Sequence, residues 1–154
     1  MILKVHQALD LHLFLNNLEK ETDGTYNKNK ITDRAVRMAV IDNIIALTNV
    51  KDEIAKKVEV LQEKYFTDKY TALLQAQADA KRKGDTTKEK ELYNELIEEE
   101  ATFKDDYTSS LNKIINEEIE VNITPINRDT FDEATDNCKF SIQNYVKFAF
   151  LFSN

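Results

Sequence analysis

Residues 81–90 read KRKGDTTKEK, and this stretch decides the fold because it holds a helix end, a turn and a helix start. Gly84 can adopt the left-handed conformation that ends helices, since it has no Cβ to clash with the backbone. The three cations before it complement the negative end of a helix dipole. Thr86 and Glu89 have the spacing of a capping box, which begins a new helix. The stretch therefore predicts a tight antiparallel hairpin of two helices.

The outgoing arm of this hairpin is predicted to run from about residue 34 to residue 83, a span without Gly or Pro. Thr32 or Asp33 can cap its start by accepting a hydrogen bond from a free backbone N–H. Its apolar residues recur at steps of three, four and seven, which is a coiled-coil-like stripe sustained over about four heptads. The stripe comprises Val36, Val40, Ile44, Leu47, Ile54, Val58, Leu61 and Tyr65, with Val50 one position off the expected step.

The return arm is predicted to run from about residue 87 to residue 117. Its inner face would carry Leu92, Leu96, Phe103, Tyr107, Leu111 and Ile114. At 1.5 Å per residue the two arms measure roughly 46 and 75 Å, so they cannot pair along their whole length. We expect the return arm to pair with about residues 52–83. Residues 34–51 then need another cover, either the N-terminal helix or the C-terminal segment.

The rest of the chain is predicted to be short elements around this hairpin. Apolar spacing predicts an N-terminal helix over residues 3–20. Residues 118–124 alternate with period two and predict one short strand, whose ladder partner is the extreme N-terminus, the C-terminal tail or another molecule. Thr130 and Glu133 form a second capping box, for a short helix near 131–137. Residues 141–151 are predicted to be helical, with a strand as the alternative.

Composition predicts a mainly helical, elongated single domain over residues 1–154. Cys138 is the only cysteine, so a disulfide within one chain is impossible and a reducing compartment is expected. The net charge of −7 disfavours binding to nucleic acid and to anionic membranes. Neither a membrane-spanning run nor a signal peptide is recognisable. We therefore expect a cytoplasmic protein.

The residue types that carry catalysis do not assemble into a recognisable motif. Cys138 has no histidine near it in sequence that could activate it, which favours a structural role. His6 and Asp10 are four apart, as in an ordinary surface pair on a helix. His6 and His12 are six apart and poorly placed to share a metal ion. We predict no enzymatic activity, no cofactor and no metal site.

Three groups of residues are candidates for binding a protein partner. Each group also has a structural explanation. The cations at the hairpin tip compensate a helix dipole, the glutamates lie on a solvated helix face, and the C-terminal aromatic residues cover residues 34–51. If the C-terminal aromatic residues instead form an exposed patch, we expect self-association that is lost on deleting residues 140–154 without unfolding. The groups are the basic tip (Lys81, Arg82, Lys83), the acidic cluster (Glu95, Glu98, Glu99, Glu100) and the aromatic tail (Phe140, Tyr145, Phe148, Phe150, Phe152).

Residues 111–126, LNKIINEEIEVNITPI, resemble a segment of small uncharacterised helical proteins of tailed bacteriophages. In that family a helical hairpin leads into acidic residues, a short strand and a turn with proline, and the order over residues 1–135 is similar. The family has no known catalytic residues. The resemblance implies a non-enzymatic accessory or structural protein that contacts a phage or host protein, in the cytoplasm of a host cell or associated with a virion. The alternative is an acidic inhibitor of a host defence system, which would bind a basic groove through the return arm.

Overall fold

The computed structural model describes residues 1–138 and 140–153. It divides the chain into two compact units: unit 1 comprises Met1–Ile54 and Asn116–Asn154, and unit 2 comprises Ala55–Ile115. The organisation of the chain as a single domain stays a prediction. Among the described residues, no helix combines the length and the apolar character needed to cross a bilayer.

The described chain is mainly helical, as predicted. Its first half contains β1 (Ile2–Lys4), α1 (Val5–Asn17), α2 (Arg34–Tyr65) and α3 (Asp68–Lys83). Its second half contains α4 (Thr86–Glu100), α5 (Lys104–Ile115), β2 (Glu118–Glu120), β3 (Ile126–Asn127), α6 (Arg128–Ala134), α7 (Ile142–Lys147), a 3-10 turn (Ala149–Leu151) and β4 (Phe152–Ser153).

The antiparallel hairpin is confirmed, but each arm consists of two helices. The outgoing arm breaks between α2 and α3, where the Thr67 hydroxyl accepts a hydrogen bond from the Tyr70 N–H at 3.0 Å and caps α3. The return arm breaks between α4 and α5. Phe66 lies at the first break and Phe103 at the second, with their ring centroids 5.5 Å apart. The expectation of one continuous outgoing helix was wrong: α2 ends at Tyr65, and the Thr67 cap begins a new helix without an intervening Gly or Pro.

The aromatic rings at these breaks form one cluster within unit 2. Tyr70 lies 4.8 Å from Phe66 and 5.0 Å from Phe103, and Tyr107 lies 5.2 Å from Phe66, all between ring centroids. Such edge-on and tilted pairs are favourable beyond the burial of their area. The cluster therefore holds the two breaks together.

Two helix starts differ from the predicted capping boxes. The carboxylate of Asp85, not the side chain of Thr86, accepts the hydrogen bond from the Lys88 N–H at 3.0 Å. The side chain of Asn127 accepts from the Thr130 N–H at 3.0 Å, so α6 begins three residues before the predicted position 131. Asp and Asn are as good as Thr at this position, and in both cases the cap lies upstream.

The predicted strand at residues 118–124 is shorter than expected. β2 pairs antiparallel with β1, with Leu3 opposite Ile119, so the extreme N-terminus supplies the ladder partner. The strand ends at Glu120. Beyond it, the fully buried Asn43 donates to the Thr124 carbonyl oxygen at 2.9 Å and accepts from the Thr124 N–H at 2.7 Å. The Asn43 side chain thus satisfies the backbone groups of Thr124 in place of a neighbouring strand.

Both candidate covers of residues 34–51 are used in unit 1. Leu11 and Leu15 of α1 and Phe131, Phe148 and Leu151 near the C-terminus belong to one buried core with α2. The C-terminal segment contains both helix and strand, since β4 pairs parallel with β3. The buried residues of α2 are Val36, Val40, Asn43, Leu47 and Ile54, whereas Ile44 and Val50 are half-buried.

Unit 2 has a narrow core because its helices pair rather than bundle. α3 packs against α4 through Leu73, Ala80, Leu92 and Leu96. Further along, Tyr65 and Tyr107 lie 6.1 Å apart between ring centroids, which confirms that the return arm also pairs with the end of α2. A pair of helices covers only one face of each, so the other faces of α3 and α4 remain open to solvent.

Candidate functional site

His12 and Cys138, whose side chains could in principle act in catalysis, make contacts with other parts of the fold. His12 Nε2 lies 3.1 Å from Thr48 Oγ1, and burial lowers the pKa of His12, with the charge of Lys51 lowering it further. The Cys138 thiol lies 3.8 Å from the Lys30 carbonyl oxygen, and burial raises the pKa of this thiol. Among the described residues, His, Cys, Asp and Glu form no group of three or more that could hold a metal ion.

The basic tip lies in the last turn of α3, where its residues were predicted. Gly84 ends the helix with φ 70°, and its N–H donates to the Ala80 carbonyl oxygen. Arg82 pairs with Asp79 on the same helix, so part of its charge is compensated. Lys81 and Lys83 are exposed. The geometry is that of ordinary dipole compensation with two cations facing solvent.

The acidic cluster does not act as one group. Glu99 accepts from the Thr67 hydroxyl at 2.8 Å and pairs with Lys69 at 3.1 Å, and these bonds lower the pKa of Glu99. Glu99 therefore links α4 to the start of α3. Glu95 and Glu98 are exposed, and Glu100 is half-buried. Of the predicted cluster, only Glu95 and Glu98 are exposed on α4.

The aromatic tail belongs to the core of unit 1. Phe148 is buried, and Phe140, Tyr145, Phe150 and Phe152 pack against the same core. The Tyr145 hydroxyl donates to the Asp132 carboxylate at 2.5 Å, and burial together with this bond raises the pKa of Tyr145 to about 12. Of the two interpretations, cover for the core is the one that the structure shows. Partner binding by these residues stays a prediction.

An exposed apolar face on the hairpin was not anticipated from the sequence. Leu74 of α3 and Tyr93 and Ile97 of α4 are 37%, 55% and 47% exposed. Each follows a buried leucine of its helix by one position, about 100° around the axis. Because the two helices run antiparallel, a step of about 100° from the contact on each helix brings both side chains to the same side of the pair. Tyr93 also lines a groove of about 650 Å³ together with Gln77 of α3 and residues between 86 and 94 near the hairpin turn.

We call Leu74, Tyr93 and Ile97 the hairpin face. The sequence carried a signal for it, since two apolar residues spaced four apart follow Leu92 and Leu96 directly. A stripe of this width exceeds what contact with a single helix can bury. The prediction gave Tyr93 and Ile97 no role because Leu92 and Leu96 already accounted for the contact between the two arms.

The comparisons with known proteins add no relative to this geometry: no family model, no curated protein and no solved structure matches the chain.

Proposed function

We propose that this protein is a non-enzymatic, phage-type accessory or structural protein that acts through protein–protein contacts, with the hairpin face as its main contact surface. The exposure of Leu74, Tyr93 and Ile97 on one side of α3 and α4 carries the proposal. The phage context rests on the resemblance of residues 111–126.

The composition of the hairpin face suits a partner contact. Tyrosine is enriched among the residues that dominate binding energy, since its ring is large and its hydroxyl can still hydrogen-bond. Tyr93 and Ile97 are four apart on α4 and therefore lie on one face of the helix. The half-buried Gln77, which lines the same groove as Tyr93, adds a polar group. An apolar centre with a polar rim is the usual anatomy of an interface.

The test is affinity capture of a partner from the native host with the full-length chain. The double variant Tyr93→Ser, Ile97→Ser removes the apolar centre of the hairpin face. The matched control is Ile142→Ser, Val146→Ser, a pair that is also four apart and exposed, on α7. All proteins are first compared by circular dichroism, so that a folding defect is not mistaken for lost binding.

We expect a partner that is retained by the unmodified chain and by the control pair, and is lost with the hairpin variant. Because the contact is apolar, capture should persist at high salt. Equal retention by the hairpin variant and the control would contradict the proposal.

A second candidate function is an acidic inhibitor that binds a basic groove of a host defence protein. The exposure of Glu95 and Glu98 on α4 and the net charge of −7 favour it. It predicts the opposite behaviour in the same assay. Capture would fall steeply with salt and would be abolished by Glu95→Gln, Glu98→Gln, while the hairpin variant would still bind.

A further inference from the structure

A cleft of about 290 Å³ lies within unit 1, between one side of α1 and a wall formed by Cys138 and by residues between 140 and 148. The lining residues of α1 and its C-cap recur at helical spacing, so a single face of the helix forms one wall. These residues are Asp10, Leu13, Phe14 and Asn17 of α1 and the C-cap Leu18. The opposite wall consists of Cys138, Phe140, Asn144, Lys147 and Phe148. The cleft is thus built from two regions that are far apart in sequence.

Aromatic rings fix the shape of the cleft. Phe14 stacks on Phe148 with ring centroids 4.9 Å apart and an angle of 20° between the rings. Phe140 meets Phe14 edge-on at 5.5 Å. Packed rings keep their rotamers, so these walls are formed in advance and do not need to rearrange around a ligand.

The charged groups of the cleft cancel each other. Lys147 Nζ lies 2.9 Å from the Asp10 carboxylate, so a ligand meets no net charge from this pair. Burial raises the pKa of Cys138, which keeps its thiol neutral and weakly polar. The amides of Asn17 and Asn144 can both donate and accept hydrogen bonds. The chemistry of the lining thus favours a neutral molecule with a polar group.

We propose that this cleft binds a neutral, mainly apolar small molecule with one or two fused rings and one hydrogen-bonding group. An apolar protein cavity of about 150 Å³ accommodates benzene. A cleft of about 290 Å³ has room for two such rings. The inference is independent of the proposed function, because none of the lining residues belongs to the hairpin face.

The test uses 2-naphthol as the probe and the full-length chain as the target. Binding is titrated by saturation-transfer NMR, and the rate of Cys138 alkylation by N-ethylmaleimide is measured with and without probe. In the variant Asn144→Trp a large ring fills the cleft. The control is Gln143→Trp, whose position is exposed and lies about 100° away on the same helix.

We expect a dissociation constant of about 0.1–1 mM for a probe of this size, and slower alkylation of Cys138 when the probe is bound. Asn144→Trp should weaken binding by roughly tenfold or more, and Gln143→Trp should leave it unchanged. If Asn144→Trp fails to fold, Asn17→Trp fills the cleft from α1 and carries the same expectation.

Three outcomes would overturn the proposal. The first is that 2-naphthol does not bind the unmodified chain, and the second is that both tryptophan variants on α7 bind it equally. The third is that N-acetylphenylalaninamide binds at least about tenfold more tightly than 2-naphthol, which would assign the cleft to a side chain of a protein partner.

Discussion

Replacing Asn43 by leucine should destabilise unit 1 strongly, although leucine has a similar size and is apolar. The side chain of Asn43 is fully buried and forms two hydrogen bonds, to the N–H and to the carbonyl oxygen of Thr124. Leaving a buried backbone group unpaired costs about 1–3 kcal/mol. Since Thr124 itself is exposed, water can reach these groups in part. We therefore expect a total loss of about 2–4 kcal/mol.

The assay is urea unfolding followed by circular dichroism at 222 nm, with exposure of the Cys138 thiol as a second signal that reports unit 1. With a urea dependence of about 2 kcal/mol/M, the midpoint should fall by about 1–2 M. Asn49→Leu is the control, because Asn49 is exposed on the same helix. It should change the free energy of unfolding by less than about 0.5 kcal/mol.

Asn43→Asp separates the hydrogen bonds from packing. An ionised aspartate can still accept from the Thr124 N–H, but it faces the Thr124 carbonyl oxygen without a proton to donate. Burial would raise the pKa of this carboxyl in the folded state. Its protonated form restores the donor, so the stability relative to the unmodified chain should be recovered at low pH and lost as the pH rises. A midpoint for Asn43→Leu equal to that of Asn49→Leu would refute the reasoning.

Three further predictions concern unit 1. Deleting residues 140–154 removes Phe148 and Leu151 from the core, so the cooperative unfolding of unit 1 should be lost in thermal circular dichroism, and a folded truncated chain would contradict this. The pKa of Tyr145 is raised from 10.0 to about 12, so its contribution to stability should be complete below pH 10 and disappear towards pH 12. Melting temperatures over this range should therefore fall less for Tyr145→Phe than for the unmodified chain. The pKa of His12 is lowered from 6.5, so stability should decrease as the pH falls below that value, and His12→Gln should weaken this dependence; identical pH profiles would exclude it.

The apolar pattern predicted the helices well and the buried polar residue not at all. On α2 the steps between Val40, Ile44 and Leu47 left Val50 out of register. With Asn43 in place of Ile44, the buried positions 40, 43, 47 and 54 and the half-buried position 50 follow the regular steps of three and four. A pattern of apolar residues cannot include an asparagine, because its burial depends on a partner 81 positions away.

The break in the outgoing arm was harder to predict than the hairpin turn, for a different physical reason. Its turn depends on local chemistry at Gly84 and Asp85, which the sequence displays directly. The break at Thr67 also has a local signal, but it competes with helix-forming residues on both sides. The contact between Phe66 and Phe103 across the hairpin favours the break, and such tertiary contacts are not visible in a local window.

The pairing of β1 with β2 has a consequence for how the chain is made. Unit 1 consists of the first 54 residues and a segment that starts at Asn116, whereas unit 2 is continuous. At a synthesis rate of about 5–20 residues per second, the ribosome needs roughly 5–20 s to pass from Ile54 to β4, the last strand of unit 1. During that interval we expect unit 2 to fold from local contacts, while α1 and the start of α2 lack the C-terminal residues that complete their core. We expect a nascent chain at this stage to expose apolar core residues of unit 1, which a chaperone could bind.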